Sequence, residues 1–237
     1  ESMDGRPDAL RKSNLRIADM GDFHREGVDR GLPDEERARR NFGLFIRRYY
    51  RVLLGVDENV GRVLDWLDAA GLAEDTIVVY TSDNGFFLGE HGLFDKRLMY
   101  EPAIRVPMLL RWPGGVAPGL VDARRFALNI DVAPTFLDLA GVPVPDTMQG
   151  ASWRPLLAGG DAGWREDFLC QYYEFPAVHC VRPHRGVRDA RWKYIRWNPA
   201  PAEEELFEAT SHPSDAWSRP FAVSGSVRPS CRCSPSD

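Results

Sequence analysis

The strongest constraint on the fold is a long apolar stripe that is followed at once by an apolar, β-branched run. A helix is predicted to begin at Pro33, with acidic residues in its first turn, and to end at Gly71. Its stripe steps by three or four residues through Ala38, Phe42, Phe45, Tyr49, Leu53, Val56, Val60, Val63 and Leu67. Residues 76–81 then predict a buried strand, so the pair predicts a helix-to-strand unit of the α/β class.

Polar residues come directly after this predicted strand, in the stretch TSDNGFFLGE. Ligands of open α/β sheets bind outside the carboxyl ends of the strands, which is where Asp83 and Asn84 are expected. A carboxylate beside an amide oxygen suits a hard cation such as calcium or magnesium. Asp-Asn-Gly is also a common turn sequence, and two oxygen ligands do not complete a metal site. We identify no second cluster of ligands elsewhere in the sequence.

The rest of the chain predicts a second strand, a short helix and a small antiparallel sheet. The second strand covers residues 106–112, and a short element at 124–128 precedes a helix that Asp131 caps and that runs to residue 140. Residues 167–174, 186–189 and 192–197 predict the strands of the small sheet. We therefore divide the chain into residues 1–150, residues 151–207 and an irregular tail, 208–237, whose composition suggests DNA translated out of frame.

Composition excludes several classes of protein. The 35 acidic and 30 basic residues are well mixed and leave a net charge of −5, so no nucleic-acid partner is expected. No apolar segment is long enough to span a membrane. Cys170 and Cys180 lie in the predicted fold, where a free buried thiol is favoured over a disulfide.

Several segments together resemble one enzyme family. These segments are DENVGR at 57–62, GEHGLFDKRLMYEPAIRVPMLLRWPG at 89–114, NIDVAPT at 129–135, QG at 149–150 and WKYI at 192–195. From about residue 41 to residue 207 the chain resembles the sulfatases, which belong to the alkaline-phosphatase-like metalloenzymes. The resemblance implies part of an alkaline-phosphatase-like sheet flanked by helices, followed by a small antiparallel C-terminal subdomain.

The resemblance also implies a metal site and a sulfate-binding cation. Asp83 and Asn84 would be metal ligands, with calcium as the implied ion, and Asp83 would also bridge toward the nucleophile. Lys96 would hold a sulfate oxygen and steady the leaving-group side. The implied partner is a sulfated small molecule or carbohydrate, and the implied location is periplasmic or extracellular.

The sequence leaves open alternative roles for two histidines and two acidic residues. His91 would either contact the substrate or orient its loop. His184 would either help to select the substrate or be a structural histidine. Glu90 and Asp95 frame the same loop and are expected to tune Lys96 rather than to act on the substrate.

The nucleophile of the family is missing from this sequence. Sulfatases carry it in a Cys/Ser-x-Pro-x-Arg motif, and Cys233-Ser234-Pro235 imitates that motif but lacks the arginine. We therefore expect a sulfatase fragment that is inactive alone. Two other hypotheses remain: a phosphodiesterase or phosphonate monoester hydrolase of the same superfamily, and a non-catalytic binding module. Asn84 favours the sulfatase, because related hydrolases often carry histidine there.

Overall fold

The computed structural model describes residues 6–13, 15–20, 31–160, 163–177, 179–198 and 203–208. The chain forms two compact units that alternate along the sequence. The first is Glu1–Asp57, Asn84–Arg105 and Leu169–Asp237, and the second is Glu58–Asp83 and Val106–Phe168. The predicted division after residue 150 stays a prediction. Apart from Glu208, the predicted tail lies outside the described residues.

Five α-helices and eight strands are formed by the described residues. The helices are α1 (Asp8–Arg11), α2 (Asp34–Ala69), α3 (Glu101–Ile104), α4 (Val132–Leu139) and α5 (Arg154–Leu157). The strands are β1 (Val78–Thr81), β2 (Phe87–Leu88), β3 (Phe94–Asp95), β4 (Met108–Arg111), β5 (Asp167–Tyr172), β6 (His184–Asp189), β7 (Trp192–Trp197) and β8 (Glu203–Glu208).

Helix α2 confirms the long helix that the apolar stripe predicts. Gly71 has a φ of 67°, a left-handed conformation that glycine adopts at little cost, and it ends the helix. The stripe is buried only towards its two ends, at Phe45 and Leu67. In the first unit Phe45 packs with Ile17 and Met20. The middle of the stripe, Leu53, Val56 and Val63, is exposed among the described residues.

Strands β1 and β4 form an antiparallel pair in the second unit. Val78 lies opposite Arg111 and Thr81 opposite Met108. Within the described part of the chain, this sheet has two strands. The connection from β1 to β4 contains the hairpin of β2 and β3, a 3₁₀ turn at Glu90–Gly92 and helix α3.

The element predicted at residues 124–128 is also wrong, because that segment is irregular. The carboxylate of Asp122 accepts hydrogen bonds from the backbone N–H groups of Arg124 and Arg125, at 3.0 and 3.1 Å. Asp131 precedes α4 as predicted, but its side chain does not cap the helix. It is buried, and its two oxygens accept hydrogen bonds from Arg165 at 2.5 and 2.6 Å.

A four-stranded sheet in the first unit confirms the predicted small antiparallel sheet. Its order is β5-β6-β7-β8, and β8 is a strand that the sequence reasoning missed. Alternate residues of β7, namely Lys193, Ile195 and Trp197, are buried. They face a core that includes Leu15, Phe87, Leu98, Met99, Tyr100, Val181 and Phe207. Cys170 and Cys180 are both free thiols, as expected.

Candidate active site

The backbone on both sides of Lys96 is firmly held. Asp95 and Arg97, its neighbours, have φ values of 70° and 82°, in the left-handed region that residues other than glycine rarely adopt. The next residues, Leu98, Met99 and Tyr100, are buried in the core of the first unit. Unusual backbone geometry on both sides of a residue, held by a packed core, is typical of functional loops.

Lys96 and His184 line the same cavity, which has a volume of about 280 Å³. Its polar lining is completed by Asn84, Arg97, Gln171, Tyr172 and Glu174. The ammonium group of Lys96 makes no hydrogen bond or ion pair with any described residue. A half-buried cation of this kind, open to a cavity, is well placed to bind an anion.

His184 presents a neutral ring to the same cavity. It is 3% exposed and packs between Tyr172 and Trp197, with ring centroids at 5.4 and 4.5 Å. Its Nδ1 lies 3.0 Å from the carbonyl oxygen of Arg182. Since a carbonyl oxygen only accepts, Nδ1 carries the hydrogen, and Nε2 is then an acceptor. Burial lowers the pKa of His184, which favours this neutral form.

The two predicted metal ligands follow β1 directly, as expected. Asp83 is exposed and Asn84 is half-buried. The side-chain amide of Asn129 donates to the backbone oxygen of Asp83 at 2.8 Å, which holds that end of the strand. The amide nitrogen of Asn84 donates to the backbone oxygen of Gly85 at 2.7 Å. Hydrogen bonds therefore hold the backbone of Asp83 and the side chain of Asn84.

These two residues supply only part of a metal site. Calcium takes six to eight oxygen ligands. In the part of the chain that the structure describes, no group of three or more His, Cys, Asp or Glu residues could hold a metal ion. Asp83 and Asn84 are chemically suited to a hard cation but do not complete its coordination.

Gly85 is needed where the chain passes α3. Its N–H donates to the backbone oxygen of Ala103 at 2.9 Å. A Cβ atom at this position would lie 2.2 Å from the backbone oxygen of Pro102, closer than real contacts allow. The glycine after Asn84 therefore permits a close backbone approach that also places Asn84 at the cavity.

His91 does not belong to the cavity lining. It lies in a 3₁₀ turn, Glu90–Gly92, with a φ of 59°. The structure therefore brings together Lys96, His184 and Asn84 but not His91, whose assigned role stays a prediction. Sequence reasoning missed Glu174, which lines the cavity two residues beyond β5. It also missed His179, since a lone histidine in a connection carries no signal of its own.

Two family models match this chain over half of its length or more. The model described as Sulfatase matches residues 21–142, and the model described as N-sulphoglucosamine sulphohydrolase, C-terminal, matches residues 89–218. The chain belongs to the sulfatase family. The resemblance seen in the sequence, and the fold class that it implies, are therefore confirmed.

The relatives of this sulfatase-family chain include enzymes named for amino-sugar sulfates. It is 44% identical over 174 residues to the N-acetylglucosamine-6-O-sulfatase of Bacteroides thetaiotaomicron, and the match covers 72% of this chain and 31% of the relative. The chain thus spans about a third of that relative.

Two solved structures complete the comparison. One protein, in complex with its substrate D-glucosamine-2-N,6-O-disulfate, is 32% identical with a TM-score of 0.74, covering 91% of this chain and 53% of that one. The phosphonate monoester hydrolase of Silicibacter pomeroyi is 29% identical with a TM-score of 0.59, covering 66% of this chain and 33% of that one.

Among the described residues, no helix is long and apolar enough to cross a membrane.

Proposed function

We propose that this chain supplies the sulfate-binding and sugar-binding residues of a metal-dependent sulfatase that hydrolyses sulfate esters of carbohydrates. The observation that carries the proposal is the Lys96 ammonium group, which is half-buried, lines the cavity and has no partner among the described residues. The names of the relatives support an amino sugar as the carbohydrate.

The chemistry of sulfate ester cleavage gives Lys96 its role. Breaking the S–O bond builds negative charge on the leaving oxygen, and a fixed cation stabilises that charge as it develops. The ammonium group of Lys96 is a compact point charge that can contact a sulfate oxygen and the leaving-group side. Lys96 is thus proposed to bind the sulfate and to lower the barrier for cleavage.

His184 and Glu174 are proposed to bind the sugar. The neutral ring of His184 offers Nε2 as an acceptor to a hydroxyl or amide group. The carboxylate of Glu174, which also lines the cavity, can accept a further hydrogen bond from a hydroxyl. These two acceptors would orient the sugar while Lys96 holds its sulfate.

Asp83 and Asn84 are the proposed metal ligands, and calcium is the proposed ion. A bound divalent cation would supply additional positive charge against the sulfuryl oxygens. The proposed role of His91, in contacting the substrate or orienting its loop, rests on the family resemblance. The periplasmic or extracellular location rests on the same resemblance.

The binding of a sulfated sugar tests this proposal. Calorimetry of the 237-residue chain would compare glucosamine 6-sulfate with glucosamine, and we define the sulfate preference as the ratio of their affinities. We expect a preference of about tenfold, the size of one charge-assisted hydrogen bond. Lys96→Met should abolish the preference.

Lys12→Met provides the matched control, since Lys12 is an exposed lysine paired with Asp8. It should leave the sulfate preference unchanged. Equal affinities for both sugars in the unsubstituted chain would overturn the proposal. So would an unchanged preference in Lys96→Met.

A second comparison addresses the phosphonate monoester hydrolase hypothesis, which similarity to two hydrolases of that name supports. The chain would be titrated with phenyl sulfate and with a phenyl phosphonate monoester, each of which carries one negative charge. Tighter binding of the phosphonate would favour that hypothesis. Hydrolysis of a chromogenic aryl sulfate with added calcium, lost in Asp83→Ala, would contradict the expectation that the chain is inactive alone.

A further inference from the structure

The carboxylate of Asp95 is the centre of a hydrogen-bond cluster around Lys96. One oxygen accepts the backbone N–H of Lys96 at 2.8 Å, and the other accepts Nη1 of Arg97 at 2.6 Å. The second oxygen also lies 2.9 Å from Nε2 of His179. Asp95 therefore ties the lysine loop to the connection between β5 and β6.

The His179 contact is made from a packed and enclosed position. Since a carboxylate oxygen only accepts, Nε2 of His179 carries the hydrogen and donates it to Asp95. The ring packs edge-on against Phe94, with centroids 6.0 Å apart. Its other nitrogen, Nδ1, is buried and has no hydrogen-bond partner in the described part of the chain. The bond to Asp95 is thus the one that fixes this ring.

A second ion pair joins the same two segments. Nε of Arg97 lies 3.5 Å from a carboxylate oxygen of Glu174, in the β5–β6 connection. Asp95 and Arg97, which flank Lys96, are both held in the left-handed conformation. Such a conformation persists where contacts from elsewhere hold it. The β5–β6 connection supplies those contacts on both sides of the lysine.

We propose that His179 is a positioning residue that acts through Asp95 to hold the Lys96 ammonium group in the anion-binding part of the cavity. This inference rests on the proposed function, because it assigns the Lys96 site to a sulfate ester. His179 itself is not among the residues that line the cavity. Its effect on the ligand is therefore transmitted by Asp95 and the backbone of Lys96.

The sulfate preference defined above separates positioning from general structural damage. His179→Leu removes the donor to Asp95, and His179→Asn keeps a polar group that is too short to reach it. We expect the sulfate preference of both variants to fall about tenfold, which is the effect of displacing one charged contact. Binding of unsulfated glucosamine should change little. His179→Gln, whose amide can place an N–H near the position of Nε2, should retain the preference.

A double substitution completes the test. In the Lys96→Met background, His179→Asn should have no further effect on the sulfate preference, because the group that it positions is gone. Parallel thermal melts would show whether each variant folds. The Asn and Gln variants, which keep a polar side chain at this position, keep the test decisive if His179→Leu does not fold.

The outcomes distinguish this inference from the proposed function. No sulfate preference in the unsubstituted chain overturns both. A preference that depends on Lys96 but is unchanged in His179→Asn overturns the positioning role alone. An equal loss of affinity for glucosamine and its 6-sulfate would assign His179 a purely structural role and also overturn the inference.

Discussion

Lys96 and Lys193 show how differently one residue type is used within a single unit. Lys193 is 1% exposed, pairs with Glu101 at 3.3 Å, and lies 5.5 Å from the ring centroids of both Tyr100 and Phe207. Its charge is neutralised within the fold. Lys96 lines a cavity and has no partner among the described residues, so its charge is available to a ligand.

His184 should remain neutral at pH values where an ordinary histidine is protonated. Burial lowers its pKa, so below the unfolded pKa of about 6.5 the unfolded chain binds a proton that the folded chain does not. His184 therefore lowers the free energy of unfolding as the pH falls below about 6.5. NMR titration of the ring protons should give a midpoint below 6.5, and a midpoint at or above it would contradict the assignment.

Helix α3 is joined to β6 and β7 by a cluster of buried charges. Glu101 lies 3.0 Å from Nε of Arg188 and 3.3 Å from Nζ of Lys193. Burial alone would raise the pKa of Glu101, but these two cations outweigh burial and lower it. The stability from ionised Glu101 is therefore full above its unfolded pKa and is lost as the pH falls through the lower folded value.

Glu101→Gln should destabilise the chain by about 3 kcal/mol, because it leaves the buried Lys193 without its anion. The free energy of unfolding from urea melts would measure the loss. Adding Lys193→Met should recover part of it, since the unpaired ammonium group is removed. A loss below about 1 kcal/mol, the usual size for surface pairs, would show that the cluster is solvated.

The elements that were predicted correctly are those with long or regular patterns. Helix α2 has an apolar stripe over nine positions, and β7 alternates clearly between buried and exposed residues. The segment at 124–128 was misassigned because a side chain, Asp122, satisfies its backbone. Strand β8 was missed because its run of glutamates hides the buried Glu205 and Phe207.

Large apolar side chains remain exposed over the described chain as a whole. Val63 and Trp66 on α2 are 56% and 61% exposed, and Leu109 of the two-stranded β1–β4 sheet is 63% exposed. Exposed apolar patches and open strand edges favour self-association. We therefore expect the isolated chain to bind a hydrophobic dye and to elute as more than one species.

Trp66→Lys should reduce dye fluorescence and the oligomeric fraction measured by light scattering, without lowering the melting temperature. Leu67→Lys, at the next position, is the matched control. Leu67 is 6% exposed, so the charge would be buried and the melting temperature should fall. A monomeric chain that binds no dye and melts in one sharp transition would contradict this prediction.

The sequence by itself determined the family, the long helix, the loop that carries Lys96 and the residues that follow β1. All of these depend on short-range spacing, which is visible without coordinates. Only the tertiary structure decided that His184 lines the same cavity as Lys96 and that His179 binds Asp95. Contacts between residues so far apart in the chain depend on how the sheet and the lysine loop pack, and local patterns do not encode that packing.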